Sequence, residues 1–411
     1  RLHLLEMHLT AAKQGSFEGL ENVMEAAGLT DVIPAEITKR TARLAEQINP
    51  FAGIIASSYN DDRFPQELLG VLKTIDILGL DKPAYGLKKL SLLEKGSIMV
   101  ELTKLDASFA TFYAVQQGLA ITSIEHLGSE AQKAKWLPPL VKGEKIGCFG
   151  LSEPDYGSDA SGLETSVNPV EGGFRLNGYK KWIGNASISD IMVVFARNNQ
   201  DNNVNAFVVD SKSEGISVEN AKQKLALRIV RNGLIEFKNV FVPAENKLEK
   251  GKDFATSANA ILTLSRLSIG WLSIGLIAGV YENTIKQLKT SVVNTNHLPI
   301  IRAKLNRILA LFKGYYLMNL HQTKLFEKGI INVAHVSLIK GESSRAAKEA
   351  VRLAADILQE NGLVLENYII KAIADAEVAY TYEGTYDINL LVSGRDLTGI
   401  SSIKAPFQLR N

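Results

Sequence analysis

The sequence changes character at residues 148–159, which read Cys148-Phe149-Gly150-Leu151-Ser152-Glu153-Pro154-Asp155-Tyr156-Gly157-Ser158-Asp159. Before about residue 145 the pattern is helical, with few helix breakers from Glu101 to His126 and an apolar stripe from Ser129 to Lys142. From about 146 to 245 short β-branched runs alternate with turn-forming residues. The pattern is helical again from about 250 to 400. This order predicts an α+β protein of several domains.

The central region contains four runs that predict strands: Phe174–Gly178, Ile191–Ala196, Ala206–Val209 and Leu234–Val242. No helix separates them, and no Gly-x-Gly-x-x-Gly phosphate loop is present. We therefore expect an antiparallel β region and disfavour a Rossmann domain.

Composition excludes several classes of protein. The 411 residues are too many for one simple core, and a net charge of +2 without a long basic run argues against a nucleic-acid-binding protein. The single cysteine, Cys148, excludes an intrachain disulfide framework, and the histidines show no metal-ligand spacing, so no metal is expected.

The longest uncharged run and the chain ends bear on membrane insertion and targeting. The longest uncharged run, Leu267–Tyr281, spans about 15 residues, which is too short for a confident membrane span. Because the chain starts at Arg1 rather than Met, we expect that it was processed or trimmed, so that any targeting sequence would be missing. Its end, Gln408–Asn411, is not of the peroxisomal Ser-Lys-Leu type.

A second notable segment reads Ala379-Tyr380-Thr381-Tyr382-Glu383-Gly384-Thr385-Tyr386-Asp387-Ile388-Asn389. It follows an apolar helical run and places Glu383 between an aromatic residue and a glycine. A carboxylate in an apolar setting resists ionisation and can serve as a tunable base. Taken alone, a glutamate after an apolar helix is more often part of a solvated turn.

Together with Lys181-Trp182-Ile183-Gly184-Asn185, these two segments resemble the acyl-CoA dehydrogenase/oxidase superfamily. Within it, the chain resembles the short-chain acyl-CoA oxidase of plant peroxisomes, which shares Trp-Ile-Gly-Asn, and also glutaryl-CoA dehydrogenase. The resemblance covers residues 35–405 and implies a helical N-terminal domain, a β-barrel-like middle domain and a C-terminal four-helix bundle. The expected divisions are a helical extension (1–34), these three domains (35–145, 146–248 and 249–405) and a tail (406–411).

The resemblance implies FAD-dependent 2,3-dehydrogenation of an acyl-CoA. Glu383 matches the base that removes the proton beside the thioester carbonyl, and its backbone N–H would be one donor to the thioester oxygen. Tyr382 would contact the acyl chain, and Gly384 would let the thioester approach the backbone.

The resemblance assigns further residues to the ligands. The flavin-binding set is Phe149, Leu151, Ser152, Ser158, Trp182, Ile183, Gly184, Thr385 and Asp387. The acyl-CoA-binding set is Ser158, Arg266, Tyr382 and Gly384. Glutaryl-CoA dehydrogenase carries an arginine for the distal carboxylate where this chain has Ala110, four residues after Asp106. A short, uncharged acyl group is therefore expected, because a buried carboxylate without a partner is costly.

Other positions depart from the family pattern. Ser291, Arg302 and the Gln359-Glu360 pair replace residues that bind the diphosphate and adenosine half of FAD, and Asn294-Thr295 replaces Phe-Gly. The substrate-side Gly-Tyr-Gly region is also altered, at 80–89. A lost bidentate arginine removes charge-assisted hydrogen bonds, so these changes predict weak or absent FAD binding.

Two functional hypotheses follow. The first is an active dehydrogenase or oxidase reoxidised by electron-transfer flavoprotein or oxygen. The second is a pseudoenzyme of the same fold that serves as a structural or assembly subunit of a larger complex; an unrelated α+β protein is a third, weaker reading. If the chain is not a subunit of a larger complex, a homodimer or homotetramer is expected. The expected location is the mitochondrial matrix or a membrane-associated mitochondrial complex, with the peroxisome as the alternative.

Overall fold

The computed structural model describes residues 17–291, 295–364 and 367–400. Leu2–Thr10 of the expected helical extension, Asn294 and the tail 406–411 lie outside these ranges. The described part of the extension contains one short helix, α1 (Val23–Ala26), capped by the side chain of Asn22.

The region before the sheet is helical, as predicted. After α1 it contains α2 (Ala35–Ile48), α3 (Ala52–Asn60), α4 (Glu67–Thr74), α5 (Leu92–Leu105), α6 (Ala107–Tyr113), a π-helix (Ala114–Ile121), α7 (Thr122–Leu127) and α8 (Glu130–Val141). Ser129 and Gln132 form a reciprocal capping box at the start of α8, which explains why this helix begins where the serine predicted.

The long helix expected from Glu101 to His126 is not continuous. Helix α5 ends before Asp106, whose side chain is buried and forms an ion pair with Lys371. The chain then continues through α6 into the π-helix, where Gln116 and Gln117 are buried and hydrogen-bond to backbone groups of other segments. Tertiary pairing of polar side chains thus divides a segment whose local pattern predicted one helix.

The middle region forms a sheet in the order β1-β4-β2-β3-β7-β6, with β5 paired to β4. Its strands are β1 (Gly147–Gly150), β2 (Ser166–Val170), β3 (Gly173–Ile183), β4 (Ile191–Asn198), β5 (Val204–Asp210), β6 (Ile216–Asn220) and β7 (Gly233–Pro243). All four predicted strands are confirmed. The expectation of an antiparallel region is wrong at β4, which pairs in parallel with β1 and β2. Strands β1, β2 and β6 lacked a β-branched run long enough to predict.

Helices return after the sheet. They are α9 (Ala258–Thr290), α10 (Leu298–Glu327), α11 (Val333–Leu358), α12 (Tyr368–Thr381) and α13 (Tyr386–Thr398). Among the described residues, α9 is long and apolar enough to cross a bilayer, but 78% of its most apolar stretch is buried within the protein, as in a core helix.

The chain divides into two compact units. The first draws its described residues from Arg1–Pro50, Gly96–Ala107 and Ile269–Asn411. Its core includes Trp271, whose indole N–H donates to Thr323 across 3.0 Å and whose ring meets Tyr316 edge-on. A Cβ at Gly96 would lie 2.5 Å from the Trp271 Nε1, so glycine is required for this approach.

The second unit comprises Phe51–Lys95 and Ser108–Ser268 and contains the whole sheet. Strand β4 is almost continuously buried, and its Phe195 packs against Phe149 of β1 with ring centroids 4.8 Å apart. This packing anchors β1, and the loop that follows β1 carries residues 151–159.

Candidate active site

Glu383 lies in a tight turn between α12 and α13. Glu383 and Gly384 both have left-handed backbone conformations, with φ of 54° and 86°. Glycine adopts this conformation readily, whereas a residue with a side chain is strained there by about 1 to 3 kcal/mol. Such strain persists only where neighbouring groups fix the backbone, and it is concentrated at functional sites.

Two fully buried side chains hold this turn. The ammonium of Lys340, on α11, donates to the carbonyl of Gly384 across 2.6 Å and to that of Tyr380 across 3.4 Å. The amide of Asn389, on α13, donates to the carbonyls of Gly384 and Thr385 across 2.8 and 3.0 Å. Both donors therefore meet at the Gly384 carbonyl.

The remaining residues of this turn have local roles as well. Tyr382 ends α12, and its N–H donates to the Val378 carbonyl. The Thr385 hydroxyl accepts a hydrogen bond from the Ile388 N–H across 3.2 Å and so caps α13. Asp387 is exposed in the first turn of α13, where a negative charge favours the helix dipole.

The loop after β1 is held by a buried ion pair. The Lys180 ammonium, on β3, donates to the Glu153 carboxylate across 2.7 Å and to the Leu151 carbonyl across 3.0 Å. The same carboxylate accepts from the backbone N–H groups of Glu164 and Thr165 at 2.7 and 2.9 Å. One carboxylate thus ties both ends of the loop to the sheet.

Burial and pairing oppose each other at this ion pair. Burial raises the pKa of Glu153, but Lys180 and the donated hydrogen bonds outweigh it and hold the pKa below its usual value of 4.5. Burial lowers the pKa of Lys180 to about 8 despite the nearby carboxylate. The pKa of Glu153 stays below its usual value because two backbone N–H groups stabilise the charged carboxylate in addition to the ammonium.

Trp182 lies at the end of β3 in a left-handed conformation, with φ of 62° and its side chain 60% exposed. Its carbonyl accepts from the Asn232 amide across 3.2 Å, and the neighbouring Lys181 N–H donates to the Ser152 carbonyl across 2.8 Å. A Cβ at Gly184 would lie 2.8 Å from the Val115 side chain in the π-helix. Close packing against Val115 therefore leaves no room for a side chain at position 184.

The predicted site residues fall into two sets. Tyr382, Glu383, Gly384, Thr385 and Asp387 lie together in the first unit. Those at the sheet lie in the second unit: the side chains of Phe149, Leu151 and Ile183 are buried, Ser152 is half-buried and Ser158 is exposed. Arg266 is also in the second unit, buried in α9. The hydrogen bond from Lys181 brings Ser152 beside the Trp182 turn.

The residues at the sheet fit the polar edge of a flavin ring. Ser152 is half-buried and Ser158 is exposed, so both hydroxyls are accessible to a ligand, and Trp182 is 60% exposed. The buried residues Phe149, Leu151 and Ile183 could contribute only backbone groups. Hydroxyl donors beside an aromatic face match a flat, polar-edged ring.

The positions expected to bind the FAD tail fit poorly. Arg302 and Glu360 are exposed, and a carboxylate such as that of Glu360 would repel a diphosphate rather than donate to it. The turn at Gln359–Leu363 is held instead by Asn367, whose amide donates to the Asn361 carbonyl at 2.6 Å and to Gln287 at 2.9 Å. The hydrogen-bond donors at the predicted FAD positions therefore match the flavin ring better than they match the diphosphate of FAD.

Several structural residues escaped sequence reasoning. Lys180 and Lys340 look like ordinary surface lysines in the sequence, and only their apolar or small neighbours hint at burial. Asn389, six residues after Glu383, lies inside the segment 379–389, but no feature of the sequence distinguishes it there.

A cluster of possible metal ligands lies in the second unit. Asp81, Glu125 and His126 bring oxygen and nitrogen atoms within 4.8 Å of one another, but Lys95 already pairs with Asp81 across 2.6 Å.

Sequence models of three domains match most of the chain. They are described as acyl-CoA dehydrogenase, N-terminal domain (residues 36–144), middle domain (148–240) and C-terminal domain (254–398).

Whole proteins and solved structures are similar as well. An acyl-CoA dehydrogenase of Bacillus subtilis (strain 168) is 27% identical over 86% of this chain and 94% of its own length. The mitochondrial 2-methylacyl-CoA dehydrogenase of Solanum tuberosum is 27% identical over 95% and 97%. The structure of a glutaryl-CoA dehydrogenase from Mycobacterium smegmatis in complex with FADH2 is 26% identical and covers 93% of this chain and 100% of that chain, with a TM-score of 0.89.

Proposed function

Because the chain belongs to the acyl-CoA dehydrogenase family, we propose that it is an FAD-dependent enzyme that oxidises a short, uncharged acyl-CoA between carbons 2 and 3. The observation that carries the proposal is the Glu383 turn. A glutamate is kept in a strained left-handed conformation by two buried donors, an arrangement that an ordinary solvated turn does not need.

In the proposed reaction, the Glu383 carboxylate takes the proton from carbon 2. Bound FAD supplies the acceptor for the hydride that leaves carbon 3. The Glu383 N–H donates to the thioester oxygen and stabilises the charge that develops there. Tyr382 contacts the acyl chain, and Arg266 binds part of CoA.

The flavin is proposed to bind at the end of the sheet. Ser152, Ser158 and backbone groups of the 149–152 segment would donate to its polar edge, and Trp182 would cover the ring together with Ile183 and Gly184. The two accessible hydroxyls and the exposed indole support this assignment.

An uncharged acyl group is supported by Ala110. This residue is fully buried on α6, and its methyl group offers no partner for a distal carboxylate. The cost of burying such a carboxylate would reduce binding of a dicarboxylyl-CoA.

The cellular setting is proposed from relatives. Electron-transfer flavoprotein or oxygen would reoxidise the flavin, and a homodimer or homotetramer is the proposed assembly. The mitochondrion is the proposed location, supported by the mitochondrial location of the Solanum tuberosum relative; the peroxisome is the alternative.

The second candidate is a pseudoenzyme that binds FAD weakly and acts as a structural or assembly subunit. It is favoured by one specific feature, the poor match of Ser291, Arg302, Gln359 and Glu360 to a diphosphate.

The test compares wild-type protein with Glu383→Gln, after incubation with FAD, with butyryl-CoA as substrate and with an artificial electron acceptor that reoxidises the flavin after each turnover. We expect wild type to form the unsaturated product and the variant to lose this activity while keeping its fold, because an amide cannot accept the proton. Glu349→Gln is the matched control, since Glu349 pairs with Arg307 on the outside of α11. Wild-type turnover in the Glu383 variant would disprove the assignment of the base, and an inactive wild type with excess FAD would favour the pseudoenzyme.

A further inference from the structure

Lys340 occupies an unusual position for a lysine. It lies on α11, its side chain is 0% exposed, and its ammonium faces carbonyls of the segment that carries Glu383. Transfer of a charged group from water into the interior is costly unless it is paired and hydrogen-bonded. A buried lysine at this position therefore indicates that the segment carrying Glu383 requires the hydrogen bonds that the ammonium donates to it.

The ammonium meets the negative end of a helix. Tyr380 is in the last turn of α12, where carbonyls have no partner within the helix and carry the negative end of the helix dipole. A cation there is favourable. A helix cap alone, however, would need only the Tyr380 carbonyl, whereas the shorter of the two hydrogen bonds goes to Gly384, beyond the helix.

The Gly384 carbonyl is fixed from two directions. Lys340 approaches from α11 and Asn389 from α13, with donor distances of 2.6 and 2.8 Å. Helix α11 presents small residues to this region, and a Cβ at Gly341 would already contact Tyr386 at 3.5 Å. The packing thus leaves little room for the turn to shift once both donors are in place.

We propose that Lys340 is a positioning residue for the Glu383 carboxylate. By holding the carbonyl of the next residue, it fixes the peptide plane between Gly384 and Thr385 and maintains the left-handed conformation of Glu383 and Gly384. The direction of the Glu383 side chain follows from that backbone. This inference rests on the proposed function only for its catalytic consequence, because the effect on the backbone can be measured separately.

The test uses Lys340→Met, which keeps a long side chain and removes the donors. We expect kcat for butyryl-CoA to fall about a hundredfold, the loss that a misplacement of about 1 Å can cause, while KM changes less than about threefold. The backbone amides of 383–387 should exchange hydrogen at least about tenfold faster without ligand, because the turn opens locally.

Two further variants sharpen the test. Lys348→Met is the control, since Lys348 lies on the same helix, pairs with Glu377 at 2.6 Å and covers the Tyr380 ring, but does not reach the turn. It should leave both the kcat and the exchange of 383–387 near wild type. Lys340→Arg keeps a charged donor and should restore part of the lost kcat.

The outcomes separate the two proposals. Unchanged kcat and unchanged exchange in Lys340→Met would overturn the positioning role. Faster exchange in Lys340→Met alongside an inactive wild type would support the backbone role and reject the proposed reaction. If Lys340→Met does not fold, Asn389→Ala removes the second donor to Gly384 and must show the same faster exchange and the same selective loss of kcat; normal values in that variant would overturn the inference.

Discussion

The ammonium of Lys180 donates to the carboxylate of Glu153 across 2.7 Å, and the two side chains are 0% and 5% exposed. Glu153 belongs to the loop between β1 and β2, and Lys180 lies two residues before the exposed Trp182. A charge pair inside the sheet thus connects the loop and the strand that the proposed flavin site uses. Such an ion pair fixes the relative positions of the loop and the strand more than it adds to the net free energy of folding, because the cost of desolvating both charges offsets much of their attraction.

Removing one partner of this pair should be strongly destabilising. In Lys180→Met the Glu153 carboxylate stays buried without its cation, at a cost of about 3 to 5 kcal/mol. Chemical denaturation followed by circular dichroism would measure the loss. The double variant Lys180→Met with Glu153→Gln should recover part of it, since it no longer buries a charge. Equal destabilisation in the single and double variants would show that the ion pair has no special role.

The same pair predicts a dependence on acid. The folded pKa of Glu153 lies below its usual value of 4.5, so the unfolded chain binds a proton more readily than the folded chain. The contribution of Glu153 is therefore complete above about pH 4.5 and is lost as the pH falls through its folded pKa. The difference in unfolding free energy between wild type and Glu153→Gln should be constant from about pH 7 to about pH 5 and should shrink as the pH is lowered further, from about 4.5 to about 2. A constant difference across that lower range would contradict the assigned direction.

Substrate choice can be tested at Ala110. We expect kcat/KM for glutaryl-CoA to be at least about a hundredfold below that for butyryl-CoA, because burying an unpaired carboxylate costs several kcal/mol. Steady-state assays with both substrates, at equal FAD loading, provide the comparison. Valeryl-CoA, with a methyl group in place of the distal carboxylate, controls for chain length. Similar values for glutaryl-CoA and butyryl-CoA would show that another cation pairs with the carboxylate.

Local patterns predicted much of the fold. Three features could be predicted because each depends only on residues close together in the sequence. They are the change from a helical to a β pattern near 146, the β-branched runs in β4 and β5, and the serine before α8. Strand β1, by contrast, reads Gly-Cys-Phe-Gly and is a strand because β4 lies beside it. The break at Asp106 likewise depends on Lys371, far away in the sequence.

The motifs of the candidate site could be predicted from the sequence, whereas the buried residues that hold those motifs in place could not. Glu383 and Trp182 are candidate site residues because the resemblance marks their positions. Lys180 and Lys340 were missed because burial of a lysine depends on which segments pack around it. The left-handed conformations of Glu383 and Trp182 were also unreadable, since only glycine signals such a backbone reliably.

The last prediction concerns the affinity for FAD. Glu360 presents an exposed carboxylate, and Ser291 offers only a hydroxyl, at positions where the family pattern places diphosphate ligands. We expect wild type to bind FAD weakly and to lose it during purification. Ser291→Arg combined with Glu360→Gly should strengthen FAD binding by about tenfold or more, because the change adds a charge-assisted hydrogen bond and removes a repelling charge. Fluorescence titration with FAD would measure this. Ser213→Arg with Glu214→Gly, in a turn of the second unit, changes net charge equally and should leave affinity unchanged. If wild type purifies with one tightly held FAD per chain, the poor match at the diphosphate end has no consequence for binding, and the active-enzyme hypothesis is favoured over the pseudoenzyme.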